Sequence, residues 1–297
     1  MRKTFIETIL KYSRSNPVPY LITGDLGYSV LEEFKIAHPD NFINVGILEQ
    51  SMISMSAGMS SQNQKVFAYS ISNFSTFRAL EQIRLDVAYH DLDVCIVGAG
   101  TGFQYGSAGY SHWAIEDLSA VSGLEKLRVF SPADPESMGN AVLDFLHNGG
   151  PTYLRIGKQS SNLRNVLDYI NIQKHVRKFG SGKILLISHG SIAFEILNSI
   201  YFDVESHCLL VFDEIPNLID EIVFNTLANA KSIKVLEDVV YSGSLGSRIA
   251  RFLLEKRLTI KFDWIGVNGK NLNTAGGSEQ YLRSRELGLN YIENLFK

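Results

Sequence analysis

The sequence predicts an α/β protein with two doubly wound domains, each a mostly parallel sheet covered by helices on both faces. Short β-rich runs alternate with helical patterns along the chain, which is the order expected for parallel strands. The alternation lapses once, in a polar stretch at 160–182 that contains the breaker Gly180-Ser-Gly182. We interpret this stretch as a linker and predict domains at residues 1–165 and 180–297.

The first domain contains apolar runs typical of buried strands. They lie at 20–23, 42–45, 65–69, 94–97, 127–130 and 152–156. Helical windows between them include 48–59 and 77–88. In the second window apolar residues recur at steps of three or four, namely Phe77, Leu80, Ile83 and Val87. This spacing predicts a helix with one apolar stripe, which favours core packing for Phe77.

The second domain repeats the pattern, with predicted strands at 184–187, 208–212, 233–236 and 260–265. Helices are expected from Ser191, from Asn217 and after Gly246. The cysteines, Cys95 and Cys208, lie inside apolar strand runs. We therefore expect two buried core residues and neither a disulfide framework nor a zinc site.

The bulk composition is that of a globular protein, with 45% hydrophobic and 20% charged residues among 297. The net charge of -3 argues against nucleic acid or an anionic membrane as the main partner, because both favour a basic face. No signal peptide is recognisable, and no run approaches the roughly 18 apolar residues that span a bilayer. A soluble cytoplasmic protein is expected.

Successive predicted strands of the first domain end in glycine or small polar residues, and these ends also carry larger functional groups. The segments are Gly24-Asp-Leu-Gly-Tyr-Ser29, Gly46-Ile-Leu-Glu-Gln50, Ser70-Ile-Ser-Asn-Phe74 and Gly98-Ala-Gly-Thr-Gly102, the last continuing to His112. Ligands of such sheets bind outside the carboxyl ends of the strands. The pattern predicts a cofactor site there, although Glu49 alone could merely interact with the dipole of its helix.

Together these motifs resemble the pyrimidine-binding and C-terminal domains of transketolase. Phe42-Ile-Asn-Val-Gly-Ile-Leu-Glu-Gln50 is similar to the segment around that family's cofactor-activating glutamate. Ser111-His-Trp-Ala-Ile-Glu-Asp117 resembles its histidine-containing loop. Val235-Leu-Glu-Asp238 and Gly243-Ser-Leu-Gly246 resemble its C-terminal domain. The resemblance covers nearly the whole chain.

The resemblance implies a role for each candidate residue. Glu49 would activate thiamine diphosphate and act in catalysis with His112, which would contact the substrate. Phe74 would stack on the pyrimidine ring, with Phe77 as its rival. The remaining expected cofactor contacts are Asp25, Gly46 and Ile47.

A phosphate group of the substrate is expected at three further positions, Arg2, Ser29 and Lys158. Arg2 could instead be a disordered terminal cation, and Ser29 could only cap a helix beginning near Val30. Lys158 stands where an arginine is usual, so it would bind phosphate without the bidentate fork.

Transketolases bind the diphosphate and Mg²⁺ with a separate domain that carries Gly-Asp-Gly and a later Asn. Here Gly24-Asp25 is followed by Leu26, and we assign no metal ligand to this chain. The resemblance is therefore to the small subunit of a split transketolase. It implies an N-terminal transketolase-like partner subunit that supplies the diphosphate and Mg²⁺ site, and an α2β2 assembly.

Two departures from the family bear on the substrate. An aspartate usual in the histidine loop is Ala108 here, and a histidine usual on the preceding loop is Gly100. Tyr110 is expected to line or crowd the pocket. Because both missing side chains usually touch sugar hydroxyls, the donor or acceptor is expected to be a specialised sugar, such as a modified or nucleotide-linked one.

Other functions remain open from the sequence. The chain could be the β subunit of a 2-oxoacid dehydrogenase or a deoxyxylulose-phosphate-synthase-like enzyme, both of which use thiamine diphosphate. It could also be a regulatory or binding paralogue that keeps the fold without the activity. Retention of Glu49 and Phe74 argues against the last of these.

Overall fold

A computed structural model describes residues 1–216, 219–269 and 276–297. The first half of the chain forms a six-stranded parallel sheet with the order β2-β1-β3-β4-β6-β5. Its strands are β1 (Tyr20–Thr23), β2 (Phe42–Asn44), β3 (Val66–Ile71), β4 (Val94–Ala99), β5 (Arg128–Phe130) and β6 (Thr152–Ile156). Every strand predicted for this half is present.

The second half forms another six-stranded sheet, with the order β12-β11-β9-β10-β8-β7. Its strands are β7 (Ile170–Gln173), β8 (Val176–Gly180), β9 (Ile184–Ser188), β10 (His207–Phe212), β11 (Ser232–Val240) and β12 (Lys261–Val267). Strands β9 to β12 are parallel, whereas β8 runs antiparallel to β10 and to β7. The predicted fold class, two α/β domains with mostly parallel sheets, is confirmed.

Helices cover both faces of each sheet. They are α1 (Arg2–Ser13), α2 (Glu32–Ala37), α3 (Glu49–Ser60), α4 (Ser72–Thr76), α5 (Leu80–Gln82), α6 (Asp117–Val121), α7 (Pro135–Asn148), α8 (Ile192–Leu197), α9 (Glu221–Ala228), α10 (Leu245–Glu255), α11 (Glu279–Leu287) and α12 (Tyr291–Phe296). The predicted start of a helix at Asn217 lies outside the described residues. Cys95 and Cys208 are buried in β4 and β10, as expected.

The stretch predicted to be a linker is partly ordered as the antiparallel hairpin β7–β8 at the edge of the second sheet. The prediction of an irregular segment is therefore wrong for residues 170–180. Its polar composition is misleading because Val176 and Phe179 are buried while Arg177 forms ion pairs with Asp134 and Asp213. The domain boundaries at 165 and 180 remain a prediction.

The apolar stripe predicted for 77–88 is broken at its first residue. The segment is a 3-10 turn (Phe77–Ala79), the short α5 and a π-helix (Ile83–Ala88) rather than one α-helix. Ile83 and Val87 are fully buried, but Phe77 is 46% exposed. The prediction that Phe77 packs in the core is therefore wrong. The changes of helical pitch along the segment move its side chain off the buried face.

The two halves are joined by a shared apolar cluster and by a polar seam. A single cluster of buried side chains runs from Ile22 and Val121 in the first half to Leu185 and Phe212 in the second. At the seam, Ser131 Oγ lies 2.8 Å from His189 Nδ1. His189 is buried between the halves. Such a seam fixes the two domains relative to each other.

The order of the first sheet reverses at β1, which pairs with β2 on one side and β3 on the other. Chain connections leave this point in opposite directions and open a crevice outside the carboxyl ends of the strands. The loops after β1, β2, β3 and β4 therefore meet at one edge. Within the described residues, no helix is both long enough and apolar enough to cross a bilayer.

Candidate active site

Glu49 is presented by a tight turn between β2 and α3. Gly46 adopts a φ of 74°, and the Leu48 N–H donates to the Gly46 carbonyl at 2.8 Å. A non-glycine residue would be strained at this φ. The turn places Glu49 in the first helical position of α3, where its side chain is only 4% exposed.

A small polar network fixes the neighbouring strand ends. Asn44 accepts hydrogen bonds from the backbone N–H groups of Asp25 and Gly46, each at 3.0 Å, and its amide donates to Asp25 at 3.0 Å. Tyr28 adds a bond to the same carboxylate at 3.2 Å. Asp25 and Gly46 therefore shape the loops beside Glu49, and Ile47 is 71% exposed next to it.

Arg78 connects Glu49 to Phe74. Its Nη1 donates to Glu49 Oε1 at 3.1 Å, and its guanidinium carbon lies 3.8 Å from the centroid of the Phe74 ring. A guanidinium at this distance from an aromatic face makes a favourable cation–π contact. The carboxylate and the ring thus enclose one flat, hydrogen-bonding group.

The His112 loop is held against α4 by Asn73. The Asn73 amide donates to the carbonyls of Ser111 at 3.2 Å and Trp113 at 2.9 Å. The rings of Phe74 and His112 meet edge to face with centroids 5.1 Å apart. His112 is therefore placed next to the proposed cofactor ring contact.

Two open cavities meet at Arg78. One, of about 390 Å³, is lined by Ile47, Leu48, Glu49, Gln50, Ser51 and Arg78. The other, of about 410 Å³, is lined by Asn73, Phe74, Phe77, Arg78, Tyr110, Ser111 and Glu116. Phe77 and Tyr110 thus line a cavity beside Phe74, and the Arg78 side chain separates this space from Glu49.

The second cavity contains two side chains that share a hydrogen bond, Tyr110 and Glu116. Burial raises the pKa of Glu116, and the hydrogen bond from Tyr110 to Glu116, 2.6 Å long, raises the pKa of Tyr110 to about 12. A carboxyl with a raised pKa in a cleft is a common feature of functional sites. Glu116 was not among the site residues predicted from the sequence.

A cationic recess lies on the other side of His112. Arg2 Nη2 donates to the Tyr105 hydroxyl at 2.8 Å, and the Lys158 ammonium lies 5.2 Å from the Tyr105 ring centroid. Arg2 Nε is buried without a hydrogen-bond partner. Neither cation forms an ion pair within the described part of the chain, although Lys158 donates to the Gln104 carbonyl and interacts electrostatically with Glu279. An anionic group of a ligand could pair with both cations.

Tyr105 occupies space beside a glycine. A Cβ on Gly100 would come within 2.3 Å of the Tyr105 ring, and Gly100 has a φ of 84°. The ring centroid also lies 6.4 Å from that of His112. The room left by the histidine missing at position 100 is thus taken by Tyr105, a residue that was not predicted from the sequence.

Ser29 lies in the exposed loop between β1 and α2. It is exposed with a φ of 61°, and its backbone N–H donates to Glu32 Oε1 at 2.7 Å. The predicted capping role is wrong, because α2 begins at Glu32 and Leu31 precedes it as the cap residue. In the described residues, no hydrogen bond links the Ser29 hydroxyl to Arg2 or Lys158.

The residues present fit the aminopyrimidine half of thiamine diphosphate. The position of the Arg78 guanidinium demonstrates that a planar group can lie on Phe74 while donating to Glu49. The described residues contain no group of three or more His, Cys, Asp or Glu side chains that could hold a metal ion.

Comparison with known proteins gives matches to transketolase subunits and also to a 1-deoxy-D-xylulose-5-phosphate synthase from Dehalococcoides mccartyi strain CBDB1, which is 29% identical over 294 residues, covering 95% of this chain and 44% of the relative. Residues 1–163 match the family model for the transketolase pyrimidine binding domain. The chain is 26% identical over 262 residues to one of the subunits of an apulose-4-phosphate transketolase from Actinobacillus succinogenes, covering 86% of this chain and 84% of the relative. It is 25% identical over 266 residues to subunit SqwH of a 6-deoxy-6-sulfo-D-fructose transketolase from Clostridium sp., covering 86% and 81%.

A solved structure described as a split gene transketolase, an inactive beta4 tetramer, has the same fold. It superposes with a TM-score of 0.83 at 24% identity, and the match covers 99% of this chain and 95% of that one.

Proposed function

The chain belongs to the transketolase family through its pyrimidine-binding domain, and we propose that it is the C-terminal subunit of a split, thiamine-diphosphate-dependent transketolase. The proposed reaction is transfer of a two-carbon ketol unit between sugar substrates, in the biosynthesis of a specialised sugar. The observation that carries the proposal is the enclosure of one planar group between the Glu49 carboxylate and the face of Phe74.

The chain's own residues would bind and orient the cofactor. Phe74 offers a flat apolar face, and Glu49 offers a buried carboxyl group for a hydrogen bond with the pyrimidine ring. The bound cofactor supplies the carbanion stabilisation that ketol transfer requires. His112, fixed by Asn73 against the same helix, would contact the substrate at this edge.

The cationic recess supports an anionic sugar as a substrate. Arg2 and Lys158 converge on Tyr105 without an ion-pair partner in the described residues. The names of two similar proteins include a phosphorylated sugar and a sulfo-sugar. We therefore propose that this recess binds the phosphate or sulfonate group of the sugar.

A partner subunit is proposed to complete the site with the diphosphate and Mg²⁺ contacts. Helix α3 and the 77–89 segment lie side by side, joined by a 2.6 Å bond between Ser54 and Asp86. They and the adjacent turn expose a set of apolar side chains that we call the apolar rim: Ile47, Leu48, Met55, Phe77, Leu85 and Tyr89. Burial of this rim against other subunits in an α2β2 assembly would exclude water from the cofactor.

Substitution of Glu49 tests the proposal. In the complex with its partner, Glu49→Gln should slow hydrogen–deuterium exchange at the cofactor's thiazolium carbon and ketol transfer by about 10²–10⁴-fold, the usual contribution of an acid–base group. Quenched exchange followed by NMR measures this directly. If Glu49 only interacted with the helix dipole, the change would cost about 0.3–1 kcal/mol of stability and leave exchange unaltered.

Glu81→Gln is a matched control, because Glu81 is an exposed acid that pairs with Arg84 on the helical segment after Phe77. It should retain both rates. Assays with pyruvate separate the proposal from a 2-oxoacid dehydrogenase, since decarboxylation of pyruvate without ketol transfer would contradict a transketolase.

A further inference from the structure

We propose that Arg78 holds the place of the cofactor's aminopyrimidine ring in the cofactor-free chain and must leave it before the cofactor binds. The inference rests on the proposed function, because that function assigns the space between Phe74 and Glu49 to this ring. Arg78 is 3.8 Å from the centroid of the Phe74 ring and 3.1 Å from the Glu49 carboxylate. The guanidinium and the pyrimidine would both need the same face of Phe74 and the same carboxylate, so they cannot bind there together.

The guanidinium resembles the ring that would replace it. Both are planar, delocalised groups that can stack on an aromatic face and form a hydrogen bond to Glu49 in their own plane. The guanidinium donates to the ionised carboxylate, whereas the ring nitrogen accepts the proton of the carboxylic acid. A lysine ammonium would reproduce only the charge. The geometry of Arg78 thus explains how the two cofactor contacts remain satisfied without the cofactor.

Glu49 and Arg78 differ in solvent exposure, as expected if the pyrimidine ring is to replace Arg78 on Glu49. Glu49 is 4% exposed, and a buried carboxylate without a partner is costly. Arg78 is 47% exposed. Its guanidinium can therefore return to solvent when another hydrogen-bonding group takes its place on Glu49.

The second cavity provides a path for this movement. Arg78 lines it together with Phe77, Tyr110 and Glu116. Glu116 is the acidic residue of that lining, and its Oε1 already accepts from Tyr110. A guanidinium that leaves Glu49 could pair with the other oxygen of this carboxylate. Displacement would also join the two cavities on either side of Arg78 into one trough from Glu49 to Tyr110.

The test uses the full chain alone and 4-amino-5-hydroxymethyl-2-methylpyrimidine, the pyrimidine half of thiamine, as the probe. Saturation-transfer NMR titrations compare wild type with Arg78→Met, which keeps an apolar stem on Phe74 and removes the planar cation. Because an internal competitor lowers apparent affinity by the fraction of open sites, Arg78→Met should bind the probe about tenfold more tightly. Combining it with Glu49→Gln should abolish the gain.

Arg84→Met is the matched control, since Arg84 is an exposed arginine of the same segment that pairs only with Glu81 in the described residues. It should bind like wild type. Arg78→Lys should bind the probe more tightly than wild type, although with a smaller gain than Arg78→Met. Its gain over wild type provides a second test if Arg78→Met fails to fold, as judged by circular dichroism. A folded Arg78→Met protein that binds the probe no better than wild type would overturn the inference.

This failure differs from failure of the proposed function. If the wild-type complex shows ketol transfer but Arg78→Met does not bind the probe more tightly, only the inference about Arg78 is refuted. A wild-type complex that binds no thiamine diphosphate would refute the proposed function, and the inference about Arg78 with it.

Discussion

Lys158 and Arg2 form a recess whose specificity can be tested one residue at a time. Lys158→Gln should lower kcat/KM for a phosphorylated aldose acceptor by about 10–100-fold, the equivalent of one charged hydrogen bond. The value for the unphosphorylated aldose should change little, because the lost contact is to the anion. Steady-state assays of the complex with both acceptors measure the difference.

Lys3→Gln is the control, since Lys3 is exposed and pairs with Glu7 in the same helix as Arg2. It should leave both acceptors unaffected. An equal loss with both acceptors in Lys158→Gln would instead indicate that Lys158 supports the fold of its loop.

Part of this site could be predicted from the sequence and part could not. Glu49, Phe74 and His112 belong to motifs in fixed order, so their convergence at one sheet edge follows from the fold. The places of Arg78 and Tyr105 depend on how their side chains pack against segments distant in the sequence or in neighbouring turns. No spacing along the chain encodes such packing, although the glycine at position 100 was a signal that a neighbouring side chain could fill its space.

Among the structural elements, the hairpin β7–β8 forms one edge of the second sheet. Phe179→Ala should destabilise the protein by about 3–5 kcal/mol, because it empties a fully buried aromatic position. Ile170→Ala on the same hairpin should stay within about 0.5 kcal/mol, because Ile170 is 61% exposed. Urea unfolding of both variants measures the contrast, and equal effects would show that the hairpin is not packed on the core.

Strands were easier to predict than this hairpin or the 77–88 segment. The run at 20–23 is apolar and stops at a glycine, so both its type and its end are readable. In the hairpin, buried Arg177 reads as a solvent residue, since its two aspartate partners lie 36 and 43 residues away. In 77–88 the apolar spacing fits a single α-helix, so it does not reveal the change from a 3-10 turn to α5 and then to a π-helix.

At the scale of the whole molecule, Asp144 makes the stability of the folded protein depend on pH. Burial alone would raise its pKa, but hydrogen bonds from His175 and Arg128, with Lys174 also paired, hold the pKa of Asp144 well below its usual value. A lowered folded pKa gives stability that is complete above the unfolded pKa of about 3.9 and is lost as pH falls below it.

The variant Asp144→Asn should therefore lose about 1.5–3 kcal/mol of unfolding free energy at pH 7. Its stability should also fall less steeply than that of wild type below about pH 4. Urea titrations at several pH values give both quantities. Asp40→Asn, at an exposed aspartate, should resemble wild type at each pH, and a parallel acid slope in Asp144→Asn would contradict the prediction.

Assembly is the other property of the whole molecule that can be tested. The apolar rim should make the isolated chain self-associate, and Leu85→Asp should weaken this association, because a charge cannot be buried in an apolar contact. Leu254→Asp on α10 is the control, at a leucine that is 80% exposed away from the rim. Light scattering that finds the same mass for wild type and Leu85→Asp would argue against an interface there.

The polar seam between the halves contains an arrangement that resembles the catalytic triad of a serine hydrolase. Ser131, His189 and Glu237 are connected in the nucleophile–base–acid order of serine hydrolases, at 2.8 and 3.0 Å. All three are at most 1% exposed, and Arg155 also donates to the serine oxygen. No ester can reach that hydroxyl, so a fluorophosphonate reagent that labels active serines should leave the folded protein unmodified at Ser131.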